Sequence, residues 1–115
     1  MAVQNLKSPP GFTLTTAAAQ TLYTCPTVAP LYREIVQVTF NNIDGVNDAA
    51  LPVCNWIDSS AANAATAILP VNARVVKLDS VMVTKTLDPG DSIVANASAN
   101  GDIAAVIEVI GREAV

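Results

Sequence analysis

The chain has 115 residues, of which 51% are hydrophobic and 14% charged, and its formal net charge is −4. This length suits one domain and leaves no room for two ordinary ones. The 6 Lys and Arg residues are scattered, so the composition excludes charge-driven binding to nucleic acid or to an anionic membrane surface.

Residues 1–19 are predicted to form an extended N-terminal arm. Ser8-Pro9-Pro10-Gly11 can continue neither a helix nor a central strand, because proline lacks a backbone N–H and fixes its φ angle. The stretch from Thr13 to Ala19 is small and polar and has little to bury. We expect such an arm to become ordered on a partner. The residues predicted to contact a partner, in the arm and on the domain surface, are Leu6, Pro9, Pro10, Phe12, Leu14, Arg33 and Trp56.

Residues 20–115 are predicted to form one antiparallel β-sandwich of about seven or eight strands, either jelly-roll-like or immunoglobulin-like. The clearest strand is Arg33–Asn41, in which Val36, Val38 and Phe40 share one face. No helix of crossover length separates the strands, which argues against a parallel sheet. Further strands are predicted at residues 21–25, 51–58, 66–69, 74–83, 92–98 and 103–110.

Three segments in the second half bear on the strand connections. Within the predicted strand 74–83, Val76 and Leu78 share one face, and Lys77 and Asp79 share the other. Asp88-Pro89-Gly90-Asp91 predicts a type II turn, since glycine accepts the positive φ at its third position. Asn100-Gly101 predicts a type I′ hairpin that joins strand 92–98 to strand 103–110.

The sequence offers no catalytic, cofactor or metal site. Histidine is absent, and nucleophilic catalysis needs a nucleophile beside a base. Cys25 and Cys54 are expected to be free buried thiols in a protein made in the cytoplasm. A disulfide between them is the alternative if their strands are neighbours. The Asp-rich segments at residues 44–48 and 88–91 are expected to stabilise turns, with weak calcium binding as the alternative. Neither a signal peptide nor a transmembrane helix is expected.

Four segments resemble small capsid-associated proteins of tailed bacteriophages. They begin with Thr21-Leu22-Tyr23-Thr24-Cys25-Pro26, where the family usually has valine in place of Cys25, and continue with the strand from Ile35 to Asn42. The third is the turn Leu87-Asp88-Pro89-Gly90-Asp91-Ser92-Ile93, and the fourth runs from Ala97 to Ile103 and into the strand that follows. The order and spacing of these segments carry the resemblance, which covers roughly residues 20–111.

The resemblance implies a non-catalytic head decoration, or cement, protein on the outer surface of the virion capsid. It would be made in the host cytoplasm, assemble as a homo-oligomer, most often a trimer at local threefold positions, and clamp neighbouring subunits of the major capsid protein. The alternatives are another virion component, such as a head–tail connector, a tail part or a head fibre, and a module that binds glycans through Trp56, Tyr23 or Tyr32.

Overall fold

The described part of the chain, residues 9–115 of a computed structural model, is an antiparallel all-β structure, as the sequence predicts. Its regular elements are strands, with a 3₁₀ turn at Ser59–Ala61 and no α-helix among these residues. In chain order the strands are Phe12–Thr13 (β1), Gln20–Thr24 (β2), Tyr32–Asn42 (β3), Ala49–Leu51 (β4), Cys54–Asp58 (β5), Ala64–Ala67 (β6), Ala73–Val75 (β7), Ser80–Leu87 (β8), Ser92–Ala95 (β9) and Ile103–Ala114 (β10).

The strands form two four-stranded sheets and a small ribbon. Sheet A has the order β1-β10-β3-β8, sheet B has the order β2-β9-β5-β6, and β4 pairs with β7 in the ribbon. In the two large sheets the pairs are nested along the chain: β1 pairs with β10, β2 with β9, β3 with β8, and β5 with β6. The sequence leaves two strand orders open, and this nested pairing is that of a jelly roll rather than an immunoglobulin-like sandwich.

The core lies between the two sheets and follows the predicted alternation. Val36, Val38 and Phe40 of β3 are fully buried, and the alternate residues of β10 from Ile103 to Val109 lie beside them. Sheet B contributes buried side chains that include Ile93 of β9. Because side chains on a strand alternate between its faces, the same pattern leaves the intervening residues of β3 and β10 on the outside of the sandwich.

The predicted arm requires a correction at Leu14. Phe12 pairs with Ala105 of β10, and the Leu14 backbone N–H donates to the Ile103 carbonyl oxygen at 2.8 Å. The Leu14 side chain is fully buried in the core of its own chain, so its assignment to a partner contact is wrong. The physical reason is that β10 would otherwise be an unpaired edge, and this segment satisfies part of that edge. Residues 1–8, with Leu6 among them, lie outside the described residues.

The predicted single strand at 74–83 is wrong, because a turn divides it into β7 and β8. The Asp79 backbone N–H donates to the Val76 carbonyl oxygen at 3.0 Å, and Leu78 has a φ angle of +63°. The Lys77 backbone N–H donates to Oδ1 of the Asp48 carboxylate at 3.0 Å. Val76 and Leu78 consequently lie exposed at the turn, not on a buried strand face.

The two predicted turns in the second half have different outcomes. At the Pro-Gly turn, the Asp91 backbone N–H donates to the Asp88 carbonyl oxygen at 2.9 Å and Gly90 has a φ angle of +92°, in agreement with a type II turn. The predicted Asn100-Gly101 hairpin is wrong, because β9 belongs to sheet B and β10 to sheet A. That turn instead carries the chain from one sheet to the other, and Gly101 donates its backbone N–H to the Leu14 carbonyl oxygen.

Candidate functional surfaces

The outer face of sheet A carries very little charge. Val106 of β10, Thr39 of β3 and Met82 of β8 lie in one row across the sheet, and Met82 is 60% exposed. Among the outward-facing positions in the central part of β3, β8 and β10, Glu108 is the one charged residue. We call this set the sheet A face: Ile35, Gln37, Thr39, Asn41, Ser80, Met82, Thr84, Thr86, Ala104, Val106, Glu108 and Ile110.

An ion cluster borders the sheet A face at one end and contains the predicted contact residue Arg33. The Arg33 Nε donates to Oδ1 of Asp88 at 2.6 Å, and its Nη1 lies 3.5 Å from Oε1 of Glu113. All three side chains are substantially exposed. Exposed ion pairs of this kind contribute little stability, so Arg33 stays accessible to a partner at the polar rim of an otherwise uncharged face.

Four exposed apolar side chains gather at the opposite end of sheet A, where β3 ends and β8 begins. We call this set the apolar tip: Ile43, Val46, Val76 and Leu78. Leu78 is 81% exposed, although its positive φ angle is unfavourable for a bulky side chain. A Cβ placed on Gly45 would lie 3.8 Å from Cδ2 of Leu78, so the two loops lie close together. Sequence reasoning missed this surface because it placed Val76 and Leu78 on a strand.

Polar side chains hold the two loops of the apolar tip in place. Asp48 accepts hydrogen bonds from the Lys77 backbone N–H and from the Arg74 guanidinium, and these interactions lower the pKa of the Asp48 carboxyl. The Asn42 side chain donates to the carbonyl oxygens of Asn47 and Val75, both at 2.9 Å. The exposed apolar side chains therefore stand on a fixed backbone, which reduces the ordering cost of any contact they make.

Trp56, another predicted contact residue, is directed into the sandwich. It pairs with Ile93 in sheet B, and its indole N–H donates to Oδ2 of the buried Asp91 at 3.1 Å. The Lys85 Nζ lies 4.0 Å from the centroid of the Trp56 ring, so a residue of β8 in sheet A caps it. The half-buried ring thus links the two sheets, which leaves its faces poorly placed for stacking on a sugar.

Asp91 holds together the Pro-Gly turn, the 3₁₀ turn and Trp56. Its Oδ1 accepts from the backbone N–H and the hydroxyl of Ser59, both at 2.9 Å, and its Oδ2 accepts from the Asp88 backbone N–H at 3.1 Å as well as from Trp56. Burial opposes ionisation of Asp91, but the hydrogen bonds from Ser59, Trp56 and Asp88 outweigh it and lower the pKa of the carboxyl. The sequence predicts a turn-stabilising aspartate here; its burial depends on contacts that are distant in sequence.

The two cysteines are free and buried, so the open question of a disulfide is settled in favour of thiols. Burial raises the pKa of Cys25 to about 11, with the nearby Glu34 charge adding to the effect, and burial alone raises the pKa of Cys54 to about 11. Residues 9–115 contain no group of three or more His, Cys, Asp or Glu side chains arranged to hold a metal ion. No helix within this range is long and apolar enough to cross a membrane.

No protein family model, curated protein or solved structure matches this chain.

Proposed function

We propose that this chain is a virion structural protein, a decoration or cement protein that binds the outside of a phage head and stabilises contacts between major capsid subunits. The observation that supports it most is the sheet A face, an exposed sheet surface almost without charge. A soluble monomer usually covers its surface with mixed charges, and this face lacks that protection against association. We infer that other subunits cover it in the assembled state.

The two surfaces suit two different contacts. The sheet A face is broad, carries both uncharged polar and apolar side chains, and has the Arg33 ion cluster at its rim. A surface of this kind fits packing between copies of this chain in an oligomer. The apolar tip is narrow, rigid and projects from loops, which fits insertion between capsid subunits. Many copies on one shell make individually modest contacts collectively strong, and that is the physical basis of cementing.

We expect Leu78→Asp to abolish binding to shells of the major capsid protein that have been stripped of this chain. The change places a charge at the centre of the apolar tip, while aspartate tolerates the positive φ angle at this position better than leucine. Cosedimentation with stripped shells measures binding, and the thermal stability of the free variant shows that it folds. The number of copies bound per shell separates a decoration protein, which occupies positions over the whole lattice, from a connector, tail or fibre part.

Val71→Asp is the matched control, because Val71 is also exposed but lies on the turn before β7, outside the apolar tip. It should bind stripped shells as the unmodified protein does. Wild-type binding by Leu78→Asp would exclude the apolar tip as the attachment surface. A chain that fails to bind shells at all, and leaves their resistance to heating unchanged, would overturn the decoration function.

Val106→Glu is expected to convert an oligomer into monomers. The new carboxylate stands in the middle of the sheet A face, two residues from Glu108 on the same side of β10, so copies that pack through this face would bring carboxylates together. Sedimentation velocity over a range of protein concentrations measures the change, with a trimer expected for the unmodified chain. A monomer at all concentrations for the unmodified chain would contradict self-association, and an unchanged oligomer for Val106→Glu would place the interface elsewhere.

A further inference from the structure

A pocket of about 190 Å³ lies at the end of the sandwich opposite the apolar tip. Tyr32 and Glu34 of β3 and Arg112 of β10 form its polar side. The connection between β2 and β3 forms its apolar side with Pro26, Val28 and Pro30. Pockets for drug-sized ligands usually exceed about 300 Å³, so this one suits a single small group.

The acidic residue of the pocket already has its hydrogen bonds. Glu34 pairs across the sheet with Arg112 on the inward side, and the Arg112 Nε donates to Oε2 of Glu34 at 2.8 Å. The Tyr23 hydroxyl donates to Oε1, and burial together with this hydrogen bond raises the pKa of Tyr23. Glu34 is buried and both of its oxygens are engaged, so it is poorly placed to receive an amine or another donor from a ligand.

The guanidinium of Arg112, which lines the pocket, retains donor capacity. Its Nε is used by Glu34, and neither terminal nitrogen has a hydrogen-bond partner within residues 9–115. The guanidinium carbon lies 5.5 Å from the centroid of the Tyr32 ring, within the range of a cation–π contact. A guanidinium carries five N–H donors in a planar fork that matches a carboxylate, so one arginine can serve a second carboxylate while it holds the first.

We propose that this pocket binds an organic monocarboxylate with a small apolar body. The carboxylate accepts hydrogen bonds from the terminal nitrogens of Arg112, and the apolar part lies against Pro26, Val28 and Pro30. Because Glu34 already balances the charge of Arg112, a singly charged acid fits better than a phosphate dianion. The carboxylate comes either from a free small molecule or from a glutamate side chain of a protein partner, and the inference holds independently of the decoration function.

The test is a titration of the full chain, labelled with ¹⁵N, with benzoate, with N-acetyl-glutamate amide and with neutral benzamide. We expect saturable shifts of backbone amides around the pocket with the carboxylates and none with benzamide. Tighter binding of benzoate indicates a free acid, and tighter binding of the blocked glutamate indicates a protein side chain. Equal effects of benzoate and benzamide would overturn the proposal.

A matched pair of variants locates the binding site. Val28→Glu places a negative charge on the pocket wall at a side chain that is 77% exposed, so the fold is preserved and carboxylate binding should weaken by about tenfold or more. Val71→Glu adds the same charge outside the pocket and should leave binding unchanged. Equal binding by both variants would show that the carboxylate does not enter this pocket. Arg112→Ala is avoided because it would leave Glu34 buried without its ion pair.

Discussion

Replacing Leu14 with alanine is expected to lower the free energy of unfolding by about 3 kcal/mol. Leu14 is fully buried, and the loss of its side chain leaves a cavity beneath the β1–β10 pairing in addition to the lost transfer free energy. Urea unfolding of Leu14→Ala and the unmodified chain, with the same slope assumed for both, measures the difference. The result shows whether Leu14 belongs to the core of its own chain or is available to contact a partner.

Phe12→Ala is the control, because Phe12 lies in β1, two residues before Leu14, but its side chain is 39% exposed. It should cost clearly less stability than Leu14→Ala. If Leu14→Ala unfolds at the same urea concentration as the unmodified chain, the segment from Phe12 to Leu14 does not belong to the core. It would then behave as the arm that the sequence predicts, and the loss would appear in shell binding.

The strands that the sequence predicts best are the ones with long alternation. β3 and β10 alternate between large apolar and other residues over many positions, so both their existence and their buried faces follow from the residues alone. Leu14 gives no such signal, because β1 contains two residues and its neighbours are mostly Thr and Ala. A single leucine in a polar stretch shows no period, and only the exposed edge of β10 explains why it is buried.

Local turn chemistry predicts where the chain bends but not which strands then pair. The Asn100-Gly101 turn is present, yet its flanking strands enter different sheets, because each pairs with a strand far away in sequence. The same limit applies at Lys77, whose neighbours alternate as in a strand. The Lys77 backbone N–H donates to the Asp48 carboxylate, and Lys77 lies in a turn. The two residues are 29 positions apart in the sequence. The jelly-roll order, the apolar tip and the pocket all depend on such distant contacts.

Asp91→Ala is expected to destabilise the domain by about 4 kcal/mol, a large share of the roughly 5–15 kcal/mol that holds a typical domain folded. The change removes one carboxylate but leaves the Trp56 indole N–H and the backbone N–H groups of Ser59 and Asp88 without their acceptor. Unsatisfied donors at a buried site cost more than the hydrogen bond alone would suggest. Thermal and urea unfolding measure the loss. Removal of the acceptor for the indole N–H should also shift the fluorescence of Trp56, the one tryptophan in the chain.

The pH dependence of stability tests whether the charge of Asp91 is responsible. Its pKa is lower in the folded chain than in the unfolded one, so its contribution is complete above the unfolded value and is lost as the pH falls through the folded value. Asp91→Asn keeps the shape but cannot ionise, so the difference in unfolding free energy between it and the unmodified chain should narrow as the pH falls below about 4. A difference that stays constant from neutral to acid pH would mean that Asp91 acts through shape and neutral hydrogen bonds, because an ionised carboxylate must give up its advantage once it is protonated.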